Sequence, residues 1–262
     1  MISQNQQRAE LLQAEVDEAT ESYFRLRIDG TIRYLTINPG LYSEDTMCFG
    51  PSLLPSLPDF PTGDWNDALV TRNPGTGKPH FESVGRTKFP SVVNTWHGTL
   101  VDYLDITVKE RIHTGIYAIE SPIFDIDAII KFVRFEWETG YLENETTAYQ
   151  WIDGHGIGPR FLGHLTEDGR VIGFVVERIT GGRHAGPQDL ELCQQALSRL
   201  HALGIRHGDT NRFNFLIRES RAVIIDFDTA RKCDDQEALR KEMDDLPGFL
   251  ESTSRAGGGG FI

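Results

Sequence analysis

Asp209, Asn214 and Asp226 have the types and spacing that Mg²⁺-assisted phosphoryl transfer requires. Transfer to a hydroxyl needs a carboxylate beside the acceptor oxygen, plus oxygen ligands for a hard cation bridging the phosphates. Asp209 and Asn214 stand five residues apart in HGDTNRFN, residues 207–214, so a base and a metal ligand share one tight loop. Asp226 follows Asp209 by 17 residues, in Asp226-Phe227-Asp228 at the end of the apolar run AVII. With NFLI and AVIIDF read as antiparallel strands around the turn RESR, the Asp226 carboxylate comes beside Asn214. Asp228 is either a further metal ligand or a cap on the following turn.

The elements around these residues read as follows. Gln188 to Leu203 is an amphipathic helix, with Leu190, Leu192, Ala196, Leu197, Leu200 and Leu203 at helical spacing and Gly204 as its C-terminal stop. VDYLDITVKERI, GIYAIES and DAIIKFVRFEWE look like β-strands, rich in Ile, Val, Tyr and Phe. A helix over about Glu143 to Ile152 and a hairpin turning at Glu167-Asp168-Gly169 follow. EALRKEMDDLPGFLE supplies one last helix, and GGGGFI is a frayed tail. In the first hundred residues, 4–22 reads as a surface helix with Leu11, Leu12, Ala14 and Val16 on its apolar side. Asp29-Gly30 marks a hairpin. The four prolines from Pro51 to Pro61 predict an extended surface segment rather than a helix. Leu53, Leu54, Leu57 and Phe60 within it predict docking on a neighbouring lobe. ALVTR and HFESV form a second hairpin around NPGTGKP.

Residues 200–230 resemble the catalytic loop and metal-binding motif of the protein-kinase-like superfamily, His-x-Asp-x-x-x-x-Asn followed by Asp-Phe-Gly or a relative. The resemblance implies ATP and Mg²⁺ as cofactors, Asp209 as base, and Asn214 and Asp226 as metal ligands, with Asp228 a further candidate ligand. It directs attention to AIIKF, where Lys131 corresponds to the strand lysine on the α- and β-phosphates, and to the next helix for its carboxylate partner. There Glu145, on one face with Tyr149 and Ile152, is preferred, with Glu143 in reserve. Glu177 to Ile179 corresponds to the hinge that receives adenine through backbone groups. The implied fold is α+β and bilobal: an N-terminal extension over 1–100, a small N-lobe over 101–178, and a reduced C-lobe over 179–262.

The departures from that pattern narrow the reading. The phosphate-covering turn has only Gly115, beside His113 and Thr114. Gly208 replaces the arginine of many regulated kinases, a form also found in aminoglycoside and choline phosphotransferases and in the atypical KEOPS-type kinase. Asn211 stands where a phosphate-neutralising lysine is common, and Arg212 follows it. Only 32 residues remain after Ala230, so there is little surface for an extended peptide. The sequence also looks like a group of small kinase-like proteins from filamentous fungi. The acceptor is then a small hydroxylated molecule or a Ser/Thr of a dedicated protein partner.

Other classes are excluded or set aside. With 26 Lys plus Arg against 39 Asp plus Glu, the net charge is −13, and no basic stripe for nucleic acid is present. No apolar run reaches the ~20 residues of a membrane span. Three scattered cysteines and a polar N-terminus fit a reducing, cytoplasmic setting. GTGK, residues 75–78, lacks the earlier glycine and the Ser/Thr of a phosphate-binding loop, so it reads as a hairpin turn. GHGIG, residues 154–158, lacks the flanking strand and helix of a nucleotide fingerprint. His155 and His164 lack paired acidic or thiol ligands and read as solvated or capping histidines rather than metal ligands.

Overall fold

Asp29 and Gly30 both take positive φ, 50° and 77°, the left-handed pair that a tight hairpin between right-twisted strands demands. In the computed structural model, which describes residues 9–252, this turn joins β2 (Ser22–Ile28) to β3 (Thr31–Ile37). β1 (Ala9–Glu15) pairs antiparallel with β2, and β4 (Asp67–Arg72) lies parallel to β3 and antiparallel to β5 (Pro79–Gly85). Two short helices, α1 (Glu44–Met47) and α2 (Gly50–Ser56), precede β4. These elements form one compact unit, which runs to Pro90 and includes Arg134–Glu136; the second unit comprises Ser91–Val133 and everything from Trp137 onward.

Two expectations for the first unit are corrected. The helix expected over 4–22 is a strand from Ala9, its first residues lying outside those described. Good helix formers yield here to the hydrogen-bonding edge of β2. A bulge between Leu11 and Gln13 turns Gln13 inward, where its Oε1 accepts from the buried Arg25 Nη1 at 2.7 Å. The proline-rich stretch is helical at its start. Pro51 occupies the first turn, where no N–H is needed, and Pro55 falls in the last. Leu53, Leu57 and Phe60 are buried in this unit's own core, with Phe24, Leu35 and Trp65. The second hairpin forms as expected. Asn73 Oδ1 accepts from the Gly75 and Thr76 amides, so GTGK is a turn.

The second unit has two lobes. The first is a six-stranded sheet ordered β6-β10-β11-β9-β8-β7, from β6 (Leu100–Asp102), β7 (Thr107–His113), β8 (Ile116–Glu120), β9 (Ala128–Phe132), β10 (Phe161–Glu167) and β11 (Arg170–Glu177). Helix α3 (Thr139–Ile152) starts a turn earlier than the sequence suggested. At Gly173 a Cβ would lie 2.2 Å from the Lys131 carbonyl oxygen, so glycine lets β11 approach β9 there. The second lobe has helices α4 (Leu190–Ala202) and α5 (Gln236–Glu251) around short strands: β12 (Arg183–His184), β13 (Ile205–Arg206), β14 (Phe215–Arg218), β15 (Arg221–Ile224) and β16 (Arg231–Lys232). The architecture is α+β and bilobal, with a C-lobe reduced to two helices. Among the described residues, no helix is long and apolar enough to cross a membrane.

His164 is fully buried in β10 and accepts from the His97 amide at 3.2 Å through Nε2. Burial, then the neighbouring His97, pushes its pKa down to about 4. The folded protein therefore excludes a proton that the unfolded chain binds below about pH 6.5, and stability falls as pH drops from 6.5 toward 4. The cost reaches about 2 kcal/mol at pH 5. The thermal midpoint of the parent protein should thus fall further between pH 7 and 5 than that of His164→Leu. Parallel curves would refute the prediction.

Candidate functional site

Lys131 sits inside β9 with its Nζ between two carboxylates, 2.7 Å from Glu145 Oε2 and 2.5 Å from Asp226 Oδ1. Burial opposes a charged amine, but the two carboxylates outweigh it and hold the Lys131 pKa above its usual value. Glu145 is fully buried on α3, which pushes its own carboxyl upward against the pull of Lys131. Its Oε1 also accepts from the Phe227 amide at 3.4 Å, joining the helix to the Asp-Phe-Asp segment. Asn144 adds to this junction, donating from Nδ2 to the Ala230 carbonyl at 2.9 Å. Glu143 does not reach Lys131; its oxygens accept from the Val93 and Asn94 amides.

The loop after α4 holds the remaining polar residues. His207 is fully buried, donating from Nε2 to the Ile225 carbonyl at 3.1 Å while Nδ1 accepts from the Asp209 amide at 3.3 Å. Those two bonds fix the orientation of the ring. Asp209 Oδ2 accepts from Asn211 Nδ2 at 2.9 Å and Asn214 Nδ2 at 3.2 Å. The Asn214 carbonyl accepts from the Ile225 amide, so the loop and the strand end carrying Asp226 are tied by backbone. Asp228 belongs to the same acidic group: burial, then Asp226, raises its pKa. The turn after it is closed by backbone, Ala230 N to the Phe227 carbonyl. Phe227 packs between His207 and Tyr149, with ring centroids at 5.3 and 5.4 Å, and Tyr149 continues onto Phe161. Arg212 lies over the Phe213 ring at 4.7 Å.

Over 152 residues the chain is 37% identical to the "Probable bifunctional tRNA threonylcarbamoyladenosine biosynthesis protein" of Methanothermobacter thermautotrophicus, covering 57% of this chain and 26% of that protein. The protein of the same name from Methanoculleus marisnigri is 32% identical over 85 residues, 32% of this chain and 15% of that one. The chain spans about a quarter or less of the length of these curated relatives. The kinase PK-1 of Cydia pomonella granulovirus aligns over 49% of this chain and 53% of its own, with 13% identity and a TM-score of 0.40. No family model matches the chain.

In this unit, Gly208 has a steric reason. Its φ is +88°, and a Cβ would lie 2.9 Å from the Thr229 carbonyl oxygen, so an arginine could not replace it without moving that segment. Gly158 of the GHGIG loop is equally constrained, since a Cβ there would meet the Phe227 ring at 2.9 Å. At the end of β11, the Glu177 amide donates to the Arg160 carbonyl and the Arg178 amide to that of Asp127. Ile179 is buried. A cleft of about 690 Å³ is lined by Ala118, Ala128, Glu177, Arg178 and Thr180, while Lys131 and Asp226 lie outside its lining.

Sequence reading missed Glu242. On α5 it is buried on the same face as Leu239, Leu246 and Leu250, and a glutamate inside an apolar stripe is the signal that could have found it. Its Oε1 accepts from the Gly208 amide at 2.7 Å and its Oε2 from the His207 amide at 3.1 Å, with His201 Nε2 at 2.8 Å. Burial raises a carboxyl pKa, but these bonds outweigh it and leave Glu242 lowered. Glu242→Gln sets an NH₂ group against one of the two amides and removes the charge facing His201. The expected cost is about 2 kcal/mol of stability, with kcat falling more than KM rises. Denaturant unfolding and steady-state kinetics check both, and an unchanged kcat would remove the loop-positioning role.

Proposed function

We propose that this chain is an Mg²⁺/ATP-dependent phosphotransferase that moves the γ-phosphoryl group of ATP to a hydroxyl. The observation that carries this reading is the convergence of Lys131 on Glu145 and Asp226, one strand away from the Asp209–Asn214 loop. The residues fit Mg²⁺. Asn214 Oδ1 is buried and has no hydrogen-bond partner among the described residues, and the Asp226 and Asp228 carboxylates supply hard oxygen donors. No cluster of three His, Cys, Asp or Glu side chains capable of holding a metal occurs among the described residues, so these donors would hold Mg²⁺ only together with nucleotide phosphates. When bound, Mg²⁺ neutralises the charge that develops on the phosphoryl oxygens.

Lys131 holds the α- and β-phosphates, and Glu145 keeps its amine aimed there. Asp209 accepts the proton of the acceptor hydroxyl on Oδ1, while Asn211 and Asn214 fix the carboxylate through Oδ2. Glu177 and Ile179 receive adenine through backbone groups. The acceptor is a small hydroxylated molecule in preference to a Ser/Thr of a dedicated protein partner. Among the described residues the second lobe carries helices α4 and α5, and a pocket needs less surface than a peptide groove. Addition of Mg²⁺-ATP at 100 times its Kd should stabilise the protein by about 2.7 kcal/mol. Labelled ATP should then mark small molecules of a metabolite extract, not arbitrary peptides. The absence of both would sink the proposal.

A second reading is a nucleotide-binding pseudokinase or a partner-activated module. It is favoured by the turn between β7 and β8, just Thr114 and Gly115, which offers few amides to phosphates. A thermal shift with Mg²⁺-ATP but no turnover on any acceptor would select it.

A further inference from the structure

Residues 92–97 run along α3, and their hydrogen bonds to Glu143, Thr146, Thr147 and Gln150 fall on one stripe. The Val92 amide first donates to the Val171 carbonyl at 2.9 Å, fixing one end of the segment to β11. Both carboxylate oxygens of Glu143 then receive successive amides, Oε2 that of Val93 at 2.5 Å and Oε1 that of Asn94 at 3.0 Å. Asn94 Nδ2 donates to Thr147 Oγ1 at 3.0 Å and to Gln150 Oε1 at 2.9 Å. Trp96 Nε1 donates to the Thr146 carbonyl at 3.1 Å, and its ring packs on Phe161 with centroids 4.7 Å apart. The His97 amide ends the run on His164 of β10. Residues 143, 146, 147 and 150 are neighbours on one helix face over two turns.

Glu145 leaves the helix about 200° around from Glu143, since successive residues turn by about 100°. We propose that residues 92–97 form an intramolecular strap that sets the rotation of α3 about its axis, with Glu143 as a positioning residue for the Lys131–Glu145 contact. The inference rests on the phosphotransfer reading for its catalytic consequence but not for its geometry. A rotation of one residue would present Asn144 or Thr146 to Lys131 and leave Glu145 as a buried carboxylate without its amine, and it would pull Glu143 off both amides. Strap and ion pair are therefore satisfied in one setting of the helix. Asn144, between them, holds the carbonyls of the Asp-Phe-Asp segment in that same setting. The chain thus carries, within its own unit, the part that orders the site.

The test uses the full chain and Glu143→Ala, with Asn94→Ala as a second variant that leaves Glu143 in place. Without nucleotide, amide hydrogen exchange in α3 should speed by about 10-fold in Glu143→Ala. Acylation of the Lys131 amine by a small activated ester, followed by mass spectrometry, should rise by about five-fold, because an amine released from its carboxylates loses its proton more readily. Asn94→Ala should move both in the same direction by less, and Glu143→Gln, which keeps one acceptor, should fall between. In a cycle with Glu145→Gln, the Glu143→Ala loss of Mg²⁺-ATP affinity should largely vanish, since the two act through one contact. Unchanged exchange and labelling would overturn the strap, as would an equal affinity loss in both backgrounds. A parent protein that fails to bind Mg²⁺-ATP while Lys131 labelling still responds to Glu143→Ala would instead overturn the phosphotransfer reading and leave the strap standing.

Discussion

Asp226→Asn is expected to lower Mg²⁺-dependent ATP turnover by more than about 1,000-fold, equivalent to some 4 kcal/mol of transition-state stabilisation. The substitution is chosen because Asp226 sits at φ +63°, a left-handed conformation that asparagine adopts nearly as readily as aspartate. Backbone strain is therefore not introduced, and the change is electrostatic. The amide oxygen can still meet Lys131, whose other carboxylate, Glu145, remains at 2.7 Å. What disappears is the anionic oxygen for the cation, one of very few donors present, since Asn214 supplies only a neutral one. The thermal midpoint without ligand should stay close to that of the parent, while the shift on adding Mg²⁺-ATP should collapse. Turnover within 10-fold of the parent protein would remove Asp226 from the metal site. Calorimetric or thermal-shift titration with Mg²⁺ varied at fixed ATP separates lost metal binding from lost nucleotide binding.

The residues in that prediction were legible in the sequence because their relations are local. Asp209, Asn214 and Asp226 occupy one loop and the strand hairpin behind it, so spacing alone decides who meets whom. Helical spacing favours Glu145 over Glu143, since it shares the Tyr149 face, but leaves both open. The task that Glu143 performs instead was not legible, because its partners are backbone amides some 50 residues earlier. Backbone groups carry no sequence signature. Glu242 was hidden by distance of the same kind, 35 residues from the His207 amide it holds. The first unit failed in a different way. Ala9–Glu15 has the composition of a helix but lies at a sheet edge whose hydrogen bonds outweigh a propensity of tenths of a kcal/mol per residue. In Gly50–Ser56 Pro51 falls in the first turn, where no N–H is needed, Pro55 forgoes one helical bond in the last, and burial of Leu53 decides the rest.

The second large effect is expected at Asp209, and it differs in kind. Both of its side-chain bonds fall on Oδ2, from Asn211 and Asn214, so the loop already holds the carboxylate in one orientation with Oδ1 turned to the acceptor. Asp209→Asn keeps size and one oxygen but removes the group that takes the hydroxyl proton. Positioned proton transfer contributes about 100- to 10,000-fold, and kcat should fall within that range. Binding of Mg²⁺-ATP should change little, because the proposed reading assigns the phosphates and the cation to Lys131, Asn214 and Asp226 rather than to Asp209. The two aspartates thus make opposite demands on one pair of measurements. Asp226→Asn should lose the thermal shift and turnover together, whereas Asp209→Asn should keep the shift and lose turnover. A partner-activated nucleotide binder without transfer would show a shift in the parent and no turnover for Asp209→Asn to remove. A variant at Asp209 that retained full kcat would leave the acceptor proton to another base and detach this loop from the chemistry.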